Sequence, residues 1–190
     1  MTEAARSLPE QEPRLDLPRA YFASLSDYNH MVLHGAWVED LTDADHVRDE
    51  IQKMLAESEE AVAEEYALHD YEGFGDWRPH EYEPIENLSR VAAGIEEHGP
   101  AFGSWVDYLG DASDERLGQF DDAYRGNWPS MEAFAEHMIE DHGLNIYDGL
   151  PEWIASYIRL DFEGLGRDMA MDMHVTPDRA GGVWVFDPNV

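Results

Sequence analysis

LPEWIASYIRLDFEGLGRDMAMD, residues 150–172, holds the densest run of large apolar residues in the chain, mixed with acids and free of turn clusters. Ile154, Ile158, Phe162, Leu165 and Met169 recur at steps of four, four, three and four, one face of a 3.6-residue period. The spacing predicts one long helix, whose apolar face Trp153, Tyr157 and Leu160 widen. A face that broad calls for two neighbours. One is the chain's own core; the other is a second copy, with Trp153, Ile154, Tyr157, Ile158, Phe162 and Leu165 forming a dimer seam anchored by a tryptophan, a residue enriched at interfaces. Gly164 and Gly166 each cost about 1 kcal/mol relative to alanine inside a helix, so they predict a bend or a close backbone approach.

The rest of the chain predicts an α+β fold in three small parts. After an extension over residues 1–16, rich in proline and charge and without the apolar core of a signal peptide, comes an N-terminal α/β domain over residues 17–74. There LPRAYFASL (17–25) and MVLHGAWVE (31–39) read as a hairpin around the turn SDYNH. Thr42 caps a helix in a box-like arrangement with Asp45, Val47, Ile51, Met54 and Leu55 form its buried stripe, and EEYALHDYE (64–72) completes a ββαβ unit. A helical middle domain spans 75–125. Pro84 opens its first helix, with Ile85, Leu88, Val91, Ala92 and Ile95 inward, and Gly99-Pro100 ends it. Two short helices follow, the second capped by Ser113 and packed through Leu117, Phe120 and Tyr124. The C-terminal α+β domain, 126–190, begins with a helix capped by Ser130, buried through Met131, Phe134, Ala135, Met138 and Ile139 and closed by Gly143. It ends in two strands, MHVTP and GGVWVFD, around the Gly181-Gly182 turn.

Charge narrows the function classes. Among 190 residues, 43% hydrophobic and 12% aromatic, 12 basic residues face 42 acidic ones, a formal net charge of −30, and Lys53 is the only lysine. Such self-repulsion works against compactness. The acids are not blocks of a disordered tail: Glu59-Glu60, Glu64-Glu65, Glu96-Glu97 and Asp121-Asp122 sit among periodic apolar residues, on the outer faces of folded elements. A surface of this sign repels nucleic acid and anionic membranes and attracts a basic groove, so neither direct nucleic-acid binding nor membrane association is expected. Without cysteine there are no disulfides or thiolate metal sites, and a reducing cytoplasm is the natural compartment.

Glu132, Glu136 and Glu140 form a row along one helix at a spacing of about 6 Å, with Asp141 beside it. Each such like-charge pair costs roughly 0.2–0.5 kcal/mol. Further rows come from Asp45, Asp49 and Glu57, from Glu96 and Glu97, and from Asp107, Asp111, Asp114, Glu115, Asp121 and Asp122. B-DNA carries one charge per about 1.7 Å of axis, so several rows side by side match a duplex, and a charge of −30 equals that of about 15 base pairs. A salt-adapted surface is the competing explanation of this acidity. A hydrolase is another, with His69-Asp70 as its metal or acid-base dyad, but no partner histidine precedes it on a helix. His137 and His142 stand five apart and miss the shared face of an HExxH zinc site. Gly164-Leu165-Gly166 lacks the third glycine and the preceding strand of a phosphate cradle. No catalytic, metal or cofactor site is expected. Trp37, Trp105, Trp128 and Trp184 read as core.

Taken together, YFASLSDYNHMVLHGAWV (21–38), EEYALHDYEGF (64–74), NWPSMEAFAEHMIEDHG (127–143) and LPEWIASYIRLDFEGLGRDM resemble, in order and spacing, the ArdA family of antirestriction proteins from about residue 19 to 187. The resemblance implies a DNA mimic that occupies the DNA-binding groove of type I restriction-modification enzymes. It also implies an elongated, curved row of three small domains, a homodimer formed through the third, and an antirestriction motif over residues 144–168. The long N-terminal extension and the near loss of lysine depart from the family pattern.

Overall fold

A computed structural model describes residues 17–60, 63–143 and 147–190. The expected extension, 1–16, and the first three residues of the motif region, 144–146, lie outside the described residues. Those that are described form an α+β fold with eight α-helices and two three-stranded sheets. Contacts divide the chain into two compact units, 1–103 and 104–190, a coarser division than the three segments read from sequence.

The first unit is built on β1 (Arg19–Ser24), which lies between β2 (Gly35–Val38) and β3 (Tyr66–Glu72) and pairs antiparallel with both. Ala20, Phe22 and Ala23 of β1 are buried, as expected of a central strand. α2 (Ala44–Ala56) covers the sheet through Val47, Ile51, Met54 and Leu55, the stripe its sequence predicts. Its cap differs from the expected one. The Asp43 carboxylate accepts from the amides of Asp45 and His46, whereas Thr42 donates to Asp40, so the aspartate one residue later takes the role. α3 (Ile85–His98) packs on α2 through its apolar face and stops at Gly99, whose φ of 78° is open to glycine at little cost.

Two readings of the hairpin are corrected. SDYNH is not a plain turn, because residues 25–29 wind into a short helix, α1 (Leu25–Asn29), capped by Ser24. Residues 31–33, expected inside a strand, instead form an exposed loop, and β2 starts only at Gly35. The reason is local: the Asp27 carbonyl accepts the amides of both His30 and Val32, which holds the chain in a turn and keeps it out of the ladder.

α4 (Ala101–Leu109) contains the point of division. The second unit centres on β6 (Val183–Phe186), flanked by β4 (Tyr124–Trp128) and β5 (His174–Pro177), all antiparallel. The two C-terminal strands expected from sequence are thus joined by a third, and Tyr124 belongs to that strand rather than to a helix. A register shift between Tyr124 and Gly126, with Gly126 at φ 106°, breaks the alternation that would have marked it. The core stacks Trp105, Phe120 and Tyr124 around Phe186, with Trp184 and Val185 also buried. A 3₁₀ turn over Glu115–Gln119 and the short α5 (Phe120–Ala123) replace the second expected helix; Asp114, not Ser113, caps the turn, while Ser113 donates to Asp111.

The single helix predicted over 150–172 is two. α7 (Glu152–Ala155) ends within a turn, and α8 (Phe162–Met169) begins afresh. Between them the amides of Tyr157 and Ile158 bond three residues back, and the Arg159 guanidinium donates to the carbonyls of Ser156 and Ile158. Bonds three residues back tighten the last turn and take the chain out of the α-helical ladder. Asp161 then caps the new helix by accepting from the Gly164 amide.

Candidate functional site

α6 (Met131–Asp141) fixes the row of acids in the second unit. The Ser130 hydroxyl accepts from the Ala133 amide, and Phe134 and Ala135 are buried. Geometry then turns Glu132, Glu136 and Glu140 to the opposite face, where all three are exposed. α8 packs on α6 at one close point: a Cβ on Gly166 would stand 2.5 Å from the Met131 carbonyl oxygen. The glycine expected to mark a close approach therefore does so inside the protomer, and it sets the pose of the acid-bearing helix. Gly164 differs, since a Cβ there would meet only the Asp161 side chain and its own cap.

Fourteen of the fifteen candidate acids are exposed; Asp114 is half-buried. Among the described residues, Glu132, Glu136 and Glu140 take part in no ion pair or side-chain hydrogen bond. Their neighbours are less uniform. In the first unit Asp45 is paired with Arg48, which also reaches Glu86 of α3, while Asp49 and Glu57 stand in solvent. Glu96 and Glu97 are exposed at the end of α3. In the second unit Asp107, Glu115, Asp121 and Asp122 are exposed, but Asp111 and Asp114 have structural work as well. Asp111 accepts from both the amide and the hydroxyl of Ser113. The Arg116 side chain, and then its amide, hold the Asp114 carboxyl below the usual carboxylate range.

Placement relative to helix ends carries a signal that the spacing of acids does not show. Glu57 is the C-cap of α2, Glu96 and Glu97 lie in the last turn of α3, and Glu140 and Asp141 close α6, which has no basic residue in that turn. A carboxylate at a helix C-terminus faces the negative end of the dipole, at a cost of about 0.3–1 kcal/mol each at low ionic strength. Three helices thus end in acids where local stability favours lysine or arginine; α2 and α3 also carry Lys53 and His98 in that turn, and only α6 has no base there.

Histidines form no comparable constellation. His69 packs edge-on against Tyr28 at 5.0 Å, and the Asp70 carboxylate accepts from the neighbouring Tyr71 amide. His137 lies against Trp128, and His142 Nδ1 bonds the Met138 carbonyl within its own helix. Among the described residues, no three His, Asp or Glu side chains are grouped to hold a metal ion, and no helix is long and apolar enough to cross a membrane. Trp105 and Trp184 are buried and Trp37 and Trp128 half-buried, whereas Trp153 is 70% and Tyr157 83% exposed. The other residues of the expected seam, Ile154, Ile158, Phe162 and Leu165, are half-buried.

Among the described residues, then, the candidate acids form an exposed surface carried on small α+β units. Comparison with known families gives a match to antirestriction protein (ArdA) over residues 20–182. The chain belongs to the ArdA family. The match takes in both sheets up to the turn before β6, and with them every candidate acid and every residue of the expected seam. No curated protein matches the chain. ArdA membership accounts for the order of the four sequence segments that carried the resemblance, and it gives the acidic surface an antirestriction setting.

Proposed function

We propose that this ArdA protein is a non-enzymatic inhibitor whose carboxylates stand in for DNA phosphates and compete with DNA for the basic groove of a type I restriction-modification enzyme, at its methyltransferase core. The observation that carries this reading is the exposed and unpaired row Glu132, Glu136 and Glu140, together with acids set against the dipole at the ends of three helices. These arrangements oppose local stability, and a basic partner turns each of them into an attraction. The same proposal includes a homodimer through the half-covered apolar face of residues 153–165, which would join two acidic arrays of about 15 base pairs each into a decoy of about 30. It also includes the elongated three-domain row and a cytoplasmic setting, where restriction enzymes meet incoming DNA.

Affinity then comes from Coulomb attraction and release of counterions, so it falls steeply as salt rises. Titrating the protein against a purified type I methyltransferase with labelled duplex present, over a range of salt, tests this. DNA displacement that weakens with salt supports the reading; binding that leaves DNA in place, or ignores salt, overturns it.

A further inference from the structure

The first unit exposes an apolar loop that neither its fold nor the acidic array uses. Met31 is 98% exposed, Leu33 74%, Tyr28 56% and Val32 51%, four large apolar residues within six positions. The loop is built, not slack. Asp27 is buried; its carbonyl accepts from His30 and Val32, and its carboxylate accepts from the Ser58 hydroxyl at 2.7 Å. The Tyr28 ring rests on His69, and Met31 sits at φ 62°, a left-handed backbone that a residue with a long side chain rarely adopts. A strained residue whose amide bonds the Tyr28 carbonyl, on a loop tied down at Asp27, with its side chain in water, is a presented side chain.

Charge around the loop decides what it is presented to. Ser58 ties residues 57–60 to the loop's base, Glu60 lies 3.5 Å from His30, and the Glu65 carbonyl accepts from the Leu25 amide. Glu60 and Glu65 therefore lie at that base, Glu57, Glu59 and Glu64 adjoin them in sequence, and residues 20–47 and 54–77 contain no lysine or arginine. Two copies meeting through this face would press like charges together, and an anionic membrane would be repelled by the same acids. Complementarity is with an apolar depression rimmed by lysine and arginine.

We propose that Tyr28, Met31, Val32 and Leu33 form an apolar anchor that seats in such a depression beside the basic groove of the target methyltransferase, supplying affinity that salt does not screen. This rests on the reading of the preceding section and deepens it. A purified type I methyltransferase, titrated at low and high salt with wild type and with the double variant M31N/L33S, tests it. Asn tolerates the left-handed backbone, and both side chains are exposed, so the thermal midpoint does not fall. The expected result is a double variant that binds about 10- to 30-fold more weakly at every salt concentration, with the same slope of log affinity against log salt. Equal affinity for the two proteins overturns the anchor and leaves the mimic reading standing. A variant that loses self-association in sedimentation, instead of affinity for the enzyme, assigns the loop to a contact between copies and also overturns it. Failure of wild type to bind or to displace DNA sinks both proposals together.

Discussion

α2 and the stretch from 150 to 172 have the same kind of sequence: apolar residues at helical spacing, acids between them. Their fates differ. In α2 the stripe is buried to the last residue, with Val47 at 0% and Ile51 at 1% exposure, and the helix runs unbroken for thirteen residues. In the C-terminal stretch the helix stops at Ala155 and restarts at Phe162, and the widest part of the apolar face, Trp153 and Tyr157, stays in solvent. Periodicity states which residues would share a face; only a sheet or helix lying against that face makes it a core. α2 has the β1–β2 surface beneath it, whereas α7 is a single turn with no buried residue.

The contrast is broken most directly by matched truncations. Ile51→Ala should cost about 3 kcal/mol by removing buried methylenes and leaving a cavity, and Ile158→Ala well under half of that. Urea unfolding followed by circular dichroism measures both, and equal losses would mean that the 150–172 face is as well covered as α2. Glycine substitutions sharpen the same point within α8. Gly166→Leu places side-chain atoms on the Met131 backbone and should destabilise the second unit by about 3 kcal/mol. Gly164→Ala loses the Asp161 cap, about 1 kcal/mol, but gains about as much in helix propensity, so it should be close to neutral in the same assay.

If the exposed face is a seam, the double variant W153A/Y157A should leave the midpoint of the isolated protomer nearly unchanged and raise the dimer dissociation constant about 30-fold, the effect of one interface hot spot. Sedimentation equilibrium reads this, and a dimer of unaltered affinity places the seam elsewhere. A smaller effect separates charge from packing. Replacing Glu132, Glu136 and Glu140 by glutamine together removes two adjacent like-charge pairs and should stabilise the fold by about 0.5–1 kcal/mol at low salt, with the gain fading as salt rises. The same variant should inhibit less well, so a rise in stability beside a fall in inhibition marks the row as functional.

The smallest effect concerns a candidate acid with a structural role. Asp114 has a folded pKa below its unfolded value because Arg116 donates to it, so its contribution is present above the unfolded pKa of about 3.9 and is lost as pH falls through the folded value. Asp114→Asn should therefore lower the thermal midpoint slightly at pH 7, and the gap to wild type should begin to narrow below about pH 4 and close once the folded carboxyl is protonated. A gap that persists at low pH would mean that the pair with Arg116 contributes nothing.

Much of the fold was legible in the residues themselves, and the exceptions share a cause. The α2 and α3 stripes, the α6 cap at Ser130 and the strand YALHDYE follow from period, cap chemistry and β-branched or aromatic content, which are local properties. β4 leaves no pattern in the sequence because Gly126 and a bulge erase its alternation, and its partner lies some sixty residues away in sequence. The residues of the loop at 31–33 suit a strand; a carbonyl at Asp27 and a hydroxyl at Ser58 overrule that preference. Of the candidate site, the number and spacing of the acids could be read directly. Which of them also bond the backbone, as Asp111 does in a turn and Asp114 as a cap, could not, because such a role is defined by the backbone it meets.

Sequence alone determined the charge of −30, the absence of cysteine, the periods of the helices and membership of the ArdA family, because each is a property of residue identity and order. Tertiary structure decided what those periods rest on. It split residues 150–172 into two helices with Asp161 capping the second, brought Gly166 onto Met131 to hold the acid row of α6, and left Trp153, Tyr157 and Met31 in water. Burial is a relation between distant segments, and no local pattern contains it.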